Sequence, residues 1–148
     1  MPAPLIALRL LRPLLAVVRV LWAAPITIFG LFIALPVRAC GGHWRRLRGG
    51  STAAMLVHGR LADWLLERHP AGRMNAMAIG HIVVAARTGL GPLTLAHELE
   101  HVRQAERWGP LFPILYAGSS AWQWLNGRNA YWHNHFEVAA RAAADRAA

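Results

Sequence analysis

The chain of 148 residues has no lysine and a single cysteine, Cys40. One cysteine can form neither an internal disulfide nor a cysteine-based zinc site, so any metal would be bound by histidine and carboxylate side chains. Charged residues make up only 16% of the chain and apolar residues 55%, a composition that excludes a disordered protein. The length suits one domain.

Acidic residues are also scarce, and residues 1–50 have none. This basic part is also the most apolar part, a combination typical of a membrane-associated segment, and nucleic acid is not an expected partner. Residues 51–148 carry nine arginines and all seven acids, so they are nearly neutral. The arginines of the first part are Arg9, Arg12, Arg19, Arg38, Arg45, Arg46 and Arg48.

The longest uncharged run, Val20 to Val37, predicts a membrane anchor within residues 1–40. Its eighteen residues are just enough to span a bilayer core of about 30 Å. A re-entrant segment, a cleaved signal and a buried soluble helix are the alternatives. Leu5 to Val20 is typical of an interfacial helix that contacts lipid. More arginines follow the run than precede it, so the positive-inside rule predicts a single-pass protein with a cytoplasmic C-terminal domain.

An α+β domain is predicted for residues 51–148, after a basic Gly/Arg linker at 41–50. The expected order is β-α-β-α-α-α, a short sheet with three or four helices. The mostly apolar helix Leu111–Leu125 is expected to be a core or interfacial helix rather than a second membrane pass. The other predicted elements are the strands Ser51–His58 and Met77–Val84, and helices over Leu61–Arg68, Pro92–Arg107 and from Asn134 onward.

A candidate metal motif lies in the segment His97-Glu98-Leu99-Glu100-His101. Residues four apart lie on the same face of a helix, so His97 and His101 can present both imidazoles to one divalent ion. Glu98 is close enough to that face to act as a general base. Glu100 points elsewhere and is expected to be a solvated partner of Arg103 or Gln104.

A catalytic zinc site needs a third protein ligand, and Glu137 on the last helix is the best candidate. The small residue Ala140 would allow that helix to approach the motif helix closely. His133 and His135 are competing ligands. The site also requires Leu111–Leu125 to stay on one side of the membrane, since a crossing would put about 30 Å of hydrocarbon between the ligands.

These features resemble a minimal zincin of the gluzincin type, with a strand, an H-E-x-x-H helix and a downstream glutamate helix. The segment HELEHVRQAERWGPLF, followed by Tyr131, Asn134, Phe136 and Glu137, resembles a family of small bacterial proteins with an apolar N-terminus. The resemblance implies one Zn²⁺ bound by His97, His101 and Glu137, with Glu98 as general base. His135 departs from that pattern, in which proline is usual.

The function expected from these residues is hydrolysis of a peptide or protein substrate near the membrane by a zinc metallopeptidase. Tyr131, His133 or Tyr116 could stabilise the oxyanion, and the strand Met77–Val84 could bind extended peptide, with His81 as an ordinary strand residue. Gln104 is expected to support a ligand. One alternative is a non-catalytic membrane protein with a structural zinc. Another is membrane-surface or nucleic-acid binding through the arginine-rich linker, which accounts for the charge but not for the histidines. The tryptophans are expected in the core or at headgroup level.

Overall fold

Five α-helices and four β-strands make up the computed structural model, which describes residues 3–49 and 52–148 and the side chains of 13–48 and 53–148. The described part excludes Gly50 and Ser51, and Ser51 is the predicted start of a strand. It also excludes the side chains of Arg9 and Arg12. The elements are α1 Ala3–Ala39, β1 His43–Gly49, β2 Thr52–His58, α2 Arg60–Glu67, β3 Ala76–Ile79, β4 Ile82–Ala85, α3 Pro92–Trp108, α4 Phe112–Leu125 and α5 His135–Asp145.

The strands form one mixed sheet in the order β1-β2-β4-β3. Strands β1 and β2 are antiparallel, β2 and β4 are parallel, and β3 and β4 are antiparallel. The crossover between the parallel strands contains α2, as parallel pairing requires a long connection. The predicted combination of helices with a short sheet is therefore confirmed.

Two predictions about the strands are wrong. The segment 41–50, predicted as a linker, contains β1, whose residues His43–Gly49 pair along their full length with β2. The segment Met77–Val84, predicted as one strand, is a hairpin of β3 and β4. Its two-residue turn is Gly80-His81, where Gly80 has φ +62°. His81 therefore lies in a turn and not in a strand, and a glycine at the first turn position suits a type II′ hairpin.

The sheet lies between two helical layers. On one face Val57 of β2 and Val84 of β4 pack with Val37 of α1 and Leu66 of α2. On the other face Leu56 and Val83 pack with Leu99 and Val102 of α3. Neighbouring residues of β2 and β4 point to opposite faces, and both faces are covered, which explains why these strands are continuously apolar.

The helix α1 packs against this core along one side only. Gly30 lies so close to the sheet that a Cβ atom there would be 2.6 Å from the carbonyl oxygen of Ile79. Ala23, Ala34 and Val37 on the same side are fully buried. The region Pro13–Ala39 is long and apolar enough, by length and composition, to cross a membrane. Its outward side is apolar as well, with Phe32 70% exposed.

The sequence predicted that α4 is either a core helix or an interfacial helix. It is not a core helix, because Phe112 is its only buried residue. Five tryptophans were expected either in the core or at headgroup level. None of the five is buried, and all are at least 37% exposed. They are Trp64, Trp108, Trp122, Trp124 and Trp132. The apolar side chains of α4 are thus outside the core.

Candidate metal centre

The helix α3 carries the two candidate histidines on the side away from the sheet. Pro92 occupies its first turn, where a missing N–H costs nothing, and Gly109 ends it with φ +52°. Leu99 and Val102 face the sheet core. His97 and His101, four residues apart, therefore project together toward α5, which packs against α3.

The start of α5 is fixed by Asn134, which is fully buried. Its side-chain oxygen accepts a hydrogen bond from the backbone N–H of Phe136 at 2.9 Å, as an N-cap residue does. Its Nδ2 donates to the carbonyl oxygen of Tyr116 at 3.0 Å and to Ser120 Oγ at 2.7 Å. This residue joins α5 to α4 and sets the position of Glu137 in the first turn of α5.

Three potential ligand atoms meet between α3 and α5. The Nε2 atoms of His97 and His101 are 3.1 Å apart. Glu137 Oε2 lies 3.2 Å from His97 Nε2, and Glu137 Oε1 lies 3.2 Å from His101 Nε2. A tetrahedral zinc ion with bonds of about 2.0–2.1 Å would separate its ligand atoms by about 3.3 Å. The spacing therefore fits one small divalent cation between the three side chains.

Gln104 determines which tautomer of His101 fits. The Gln104 Nε2 donates to the carbonyl oxygen of Phe136 at 3.0 Å, which leaves its Oε1 to face His101 Nδ1 at 2.8 Å. An amide oxygen only accepts, so His101 Nδ1 carries a proton. In the neutral imidazole, Nε2 then has a lone pair directed toward Glu137, and a cation shared with the carboxylate would satisfy both groups. This is the arrangement of a metal-binding histidine held by a second residue. Without a cation, a proton on Nε2 takes that place.

The electrostatics of the cluster favour a negative carboxylate beside a positive charge. Burial alone would raise the pKa of Glu137, but hydrogen bonds and charge interactions with His101 and His97 outweigh burial and hold that pKa well below its usual range. Burial would likewise lower the pKa of His101, but Glu137 outweighs it and raises that pKa. The buried carboxylate thus stays ionised and attracts a cation.

Glu98 lies beside the cluster as a buried carboxyl group. Burial raises its pKa, although His101 and His97 act in the opposite direction. One of its oxygens interacts with the backbone N–H of Ala78 on β3, and Oε2 is buried without a hydrogen-bond partner among the described residues. A carboxyl group with a raised pKa next to a candidate metal centre suits proton transfer near neutral pH.

Two tyrosines flank the carboxylate of Glu137. The hydroxyl of Tyr116 donates to Glu137 Oε1 at 2.7 Å, and burial together with this bond raises the pKa of Tyr116 far above its usual range. Tyr131, the predicted catalytic tyrosine, is half exposed. Burial and the charge of Glu137 raise its pKa to about 12, so it stays a hydrogen-bond donor at neutral pH.

The other candidate histidines lie away from the ligand group. His133 is exposed and its Nδ1 faces the carbonyl oxygen of Asn129, while His135 packs its ring against Phe136. His81 Nδ1 faces Thr27 Oγ1 at 3.1 Å and its Nε2 faces Glu106 at 3.2 Å. His81 thereby links α1 to α3 through the β3–β4 turn, a role that the sequence did not reveal.

The donor set, two imidazoles and one carboxylate on two packed helices, defines a candidate divalent metal centre. The chain matches no protein-family model, no curated protein and no solved structure. The gluzincin resemblance therefore remains a prediction, and membership of that family is not assigned.

Proposed function

We propose that the protein is a membrane-bound zinc metallopeptidase in which His97, His101 and Glu137 bind the metal. The observation that supports this most directly is that the Nε2 atoms of His97 and His101 lie 3.1 Å apart and each lies 3.2 Å from one carboxylate oxygen of Glu137. Gln104 orients His101. When bound, the zinc would act as a Lewis acid toward a peptide carbonyl and would make water a stronger nucleophile.

In this proposal Glu98 takes the proton from the attacking water and returns it to the leaving amine. Its place beside both histidines and its raised pKa favour that role. Tyr131 is half exposed and protonated, and its hydroxyl interacts with Glu137 at the edge of the cluster. We assign this hydroxyl the role of donor to the oxyanion that develops on the substrate. Tyr116 is already committed to Glu137 and is assigned a positioning role.

The test is the metal content and activity of the full chain purified in detergent, compared with Glu98→Gln. We expect about one zinc per chain in both proteins, and hydrolysis of labelled casein by the wild type only, since removing a general base typically costs about 10²–10⁴-fold in rate. Glu100→Gln is the matched control, because Glu100 lies on the same helix but pairs with Arg103 at 2.9 Å. A wild type without metal, or an active Glu98→Gln protein, would refute the proposal.

The second candidate function is a structural zinc that holds α3 to α5 without catalysis. It is favoured by the burial of Glu137, which is only 3% exposed and connects the two helices. A structural site predicts that chelation unfolds the domain, whereas a catalytic site predicts loss of activity with the near-ultraviolet circular dichroism retained. Metal without any activity, combined with unfolding on chelation, would favour this second function.

We also propose that α1 anchors the protein in the bacterial inner membrane, with residues 41–148 on its cytoplasmic side. Support comes from the apolar region Pro13–Ala39, from Arg38 in its last turn, and from Arg45, Arg46 and Arg48, which follow it. The exposed Cys40 provides the test, because it is the chain's single thiol and directly follows the helix. A membrane-impermeant maleimide should label inverted vesicles and leave intact spheroplasts unlabelled. Labelling of spheroplasts alone would reverse the orientation.

A further inference from the structure

The helix α4 has its polar residues inside and its apolar residues outside. Toward α5, Tyr116 bonds to Glu137, Ser120 accepts from Asn134, and Ser119 accepts from the backbone N–H of His135 at 3.0 Å. The opposite side is exposed and carries Ile114, Leu115, Ala117, Trp122, Trp124 and Leu125. This pattern is the reverse of a surface helix in water, which turns its apolar residues inward.

The exposed side of α4 consists of uncharged residues, several of them large and apolar. None of the fourteen residues of α4 is charged, and Ile114 and Leu125 are 69% and 71% exposed. A continuous apolar patch of this kind on a protein surface indicates contact with a membrane or another protein. Water alone is therefore not the expected neighbour of this face.

The residues around α4 favour lipid over a protein partner. Arg107 precedes the helix and Arg128 follows it, and both are exposed. Trp122 and Trp124 near its C-terminal end are exposed, as is Trp132 shortly after. Tryptophan and arginine at the ends of an apolar helix are typical of the membrane interface, where indole rings lie among headgroups and guanidinium groups contact anionic lipids.

The position of α4 next to α1 also favours lipid as the neighbour of its exposed face. Ile26 of α1 packs with the cluster that contains Phe112, the first residue of α4. Trp22 of α1 lies so close to Gly109 that a Cβ there would be 2.4 Å from the indole ring. A bilayer that holds α1 would therefore lie beside the first turn of α4.

We propose that the outer face of α4 lies in the headgroup and upper acyl region of the bilayer that holds α1, as an interfacial helix. The proposal requires the membrane association of α1 but not the peptidase activity. Because Tyr116 on the inner side of α4 bonds to Glu137, the candidate metal centre lies within about one helix diameter, roughly 10 Å, of lipid.

Spin labels on single cysteines of the full chain test this, with Cys40→Ser as background. The labels are introduced by Ile114→Cys on α4, Phe29→Cys on the outer side of α1, and Glu67→Cys, an exposed control on α2. The protein is reconstituted in vesicles of phosphatidylcholine and phosphatidylglycerol. Accessibility to oxygen, which concentrates in lipid, is compared with accessibility to a water-soluble nickel chelate.

We expect an oxygen-to-nickel accessibility ratio at position 114 several-fold above that at position 67 and similar to that at position 29. A ratio at 114 equal to that at 67, with a high ratio at 29, would place α4 in water and overturn the proposal. Low ratios at 29 and 114 together would overturn it through its premise of membrane association. Spin–spin broadening at 114 that persists in excess lipid would show a second copy as the occupant. Because no readout is enzymatic, these outcomes are independent of the peptidase proposal.

Discussion

Gln104 holds one of the two candidate histidines in the orientation and tautomer that bind metal. It bridges His101 and the carbonyl oxygen of Phe136, and it is buried. We expect Gln104→Leu to weaken zinc binding by about 10–100-fold, as is typical when a residue that orients a histidine ligand is lost. The measurement is competition with a chromogenic chelator on the purified full chain.

Glu100→Gln again serves as the control for the loss of a polar side chain on α3 and should bind zinc like the wild type. A folded Gln104→Leu protein with unchanged zinc affinity would contradict the role of Gln104. Circular dichroism of both variants separates this result from simple unfolding.

At the residue scale, the pairing of the two candidate histidines was predictable because the information is local. The spacing of His97 and His101 places them on one helix face, and the structure brings them together with Glu137 rather than with His133 or His135. The contacts of Glu98 with Ala78 and of Tyr116 with Glu137 were not predictable. They join distant segments, and their geometry depends on how α3, α4 and β3 pack.

Among the secondary-structure elements, the β3–β4 turn depends on a glycine. Gly80 has φ +62°, and a Cβ there would be 2.4 Å from Thr27 Oγ1 on α1. We therefore expect Gly80→Ala to destabilise the protein by about 1–3 kcal/mol, through overpacking added to an unfavourable backbone conformation. Thermal unfolding of the full chain in detergent, followed by circular dichroism, measures the change.

Gly118→Ala is the matched control, since no atom of the described part of the chain lies within 4 Å of a Cβ at this position inside α4. It should leave the unfolding temperature equal or slightly higher, because alanine is the better helix former. Equal stability of the Gly80→Ala and wild-type proteins would contradict the close packing of the turn against α1.

The helices of the domain were predictable within a few residues, and two of the strands were not. Pro92, Gly109 and Asn134 mark helix ends by local chemistry. Strand β1 has a single buried apolar residue, Leu47, among arginines, so it lacks the alternation that identifies a strand. The β3–β4 turn was hidden because an apolar run on both sides of Gly80 also fits one continuous strand.

For the whole molecule, α1 is part of the hydrophobic core as well as a candidate anchor. Ala34 and Val37 are fully buried against Val57, Leu66 and Val84. We expect a fragment of residues 41–148 to be insoluble or to lack a cooperative thermal transition, because each exposed aliphatic side chain of this type forfeits about 1.5–3 kcal/mol. The full chain in detergent should unfold cooperatively.

A monodisperse fragment 41–148 with a cooperative transition would contradict this prediction. The sequence alone predicted an anchor, a linker and a separate domain, and therefore a domain whose core does not include α1. Hydropathy identifies an apolar helix but not its neighbours. The small residues Ala23, Gly30 and Ala34 lie on the side of α1 that packs against the domain, and this role is visible only in the structure.

The packing of α1 also has a consequence for the order of events during synthesis. Residues 3–39 leave the ribosome before any strand of the sheet exists, and chains emerge at about 5–20 residues per second. The side of α1 that carries Gly30 and Val37 is therefore synthesised several seconds before β2 and β4, the strands that pack against it. A helix that reaches the membrane first would present this side as a template, and the domain would then assemble on an element already held by the bilayer.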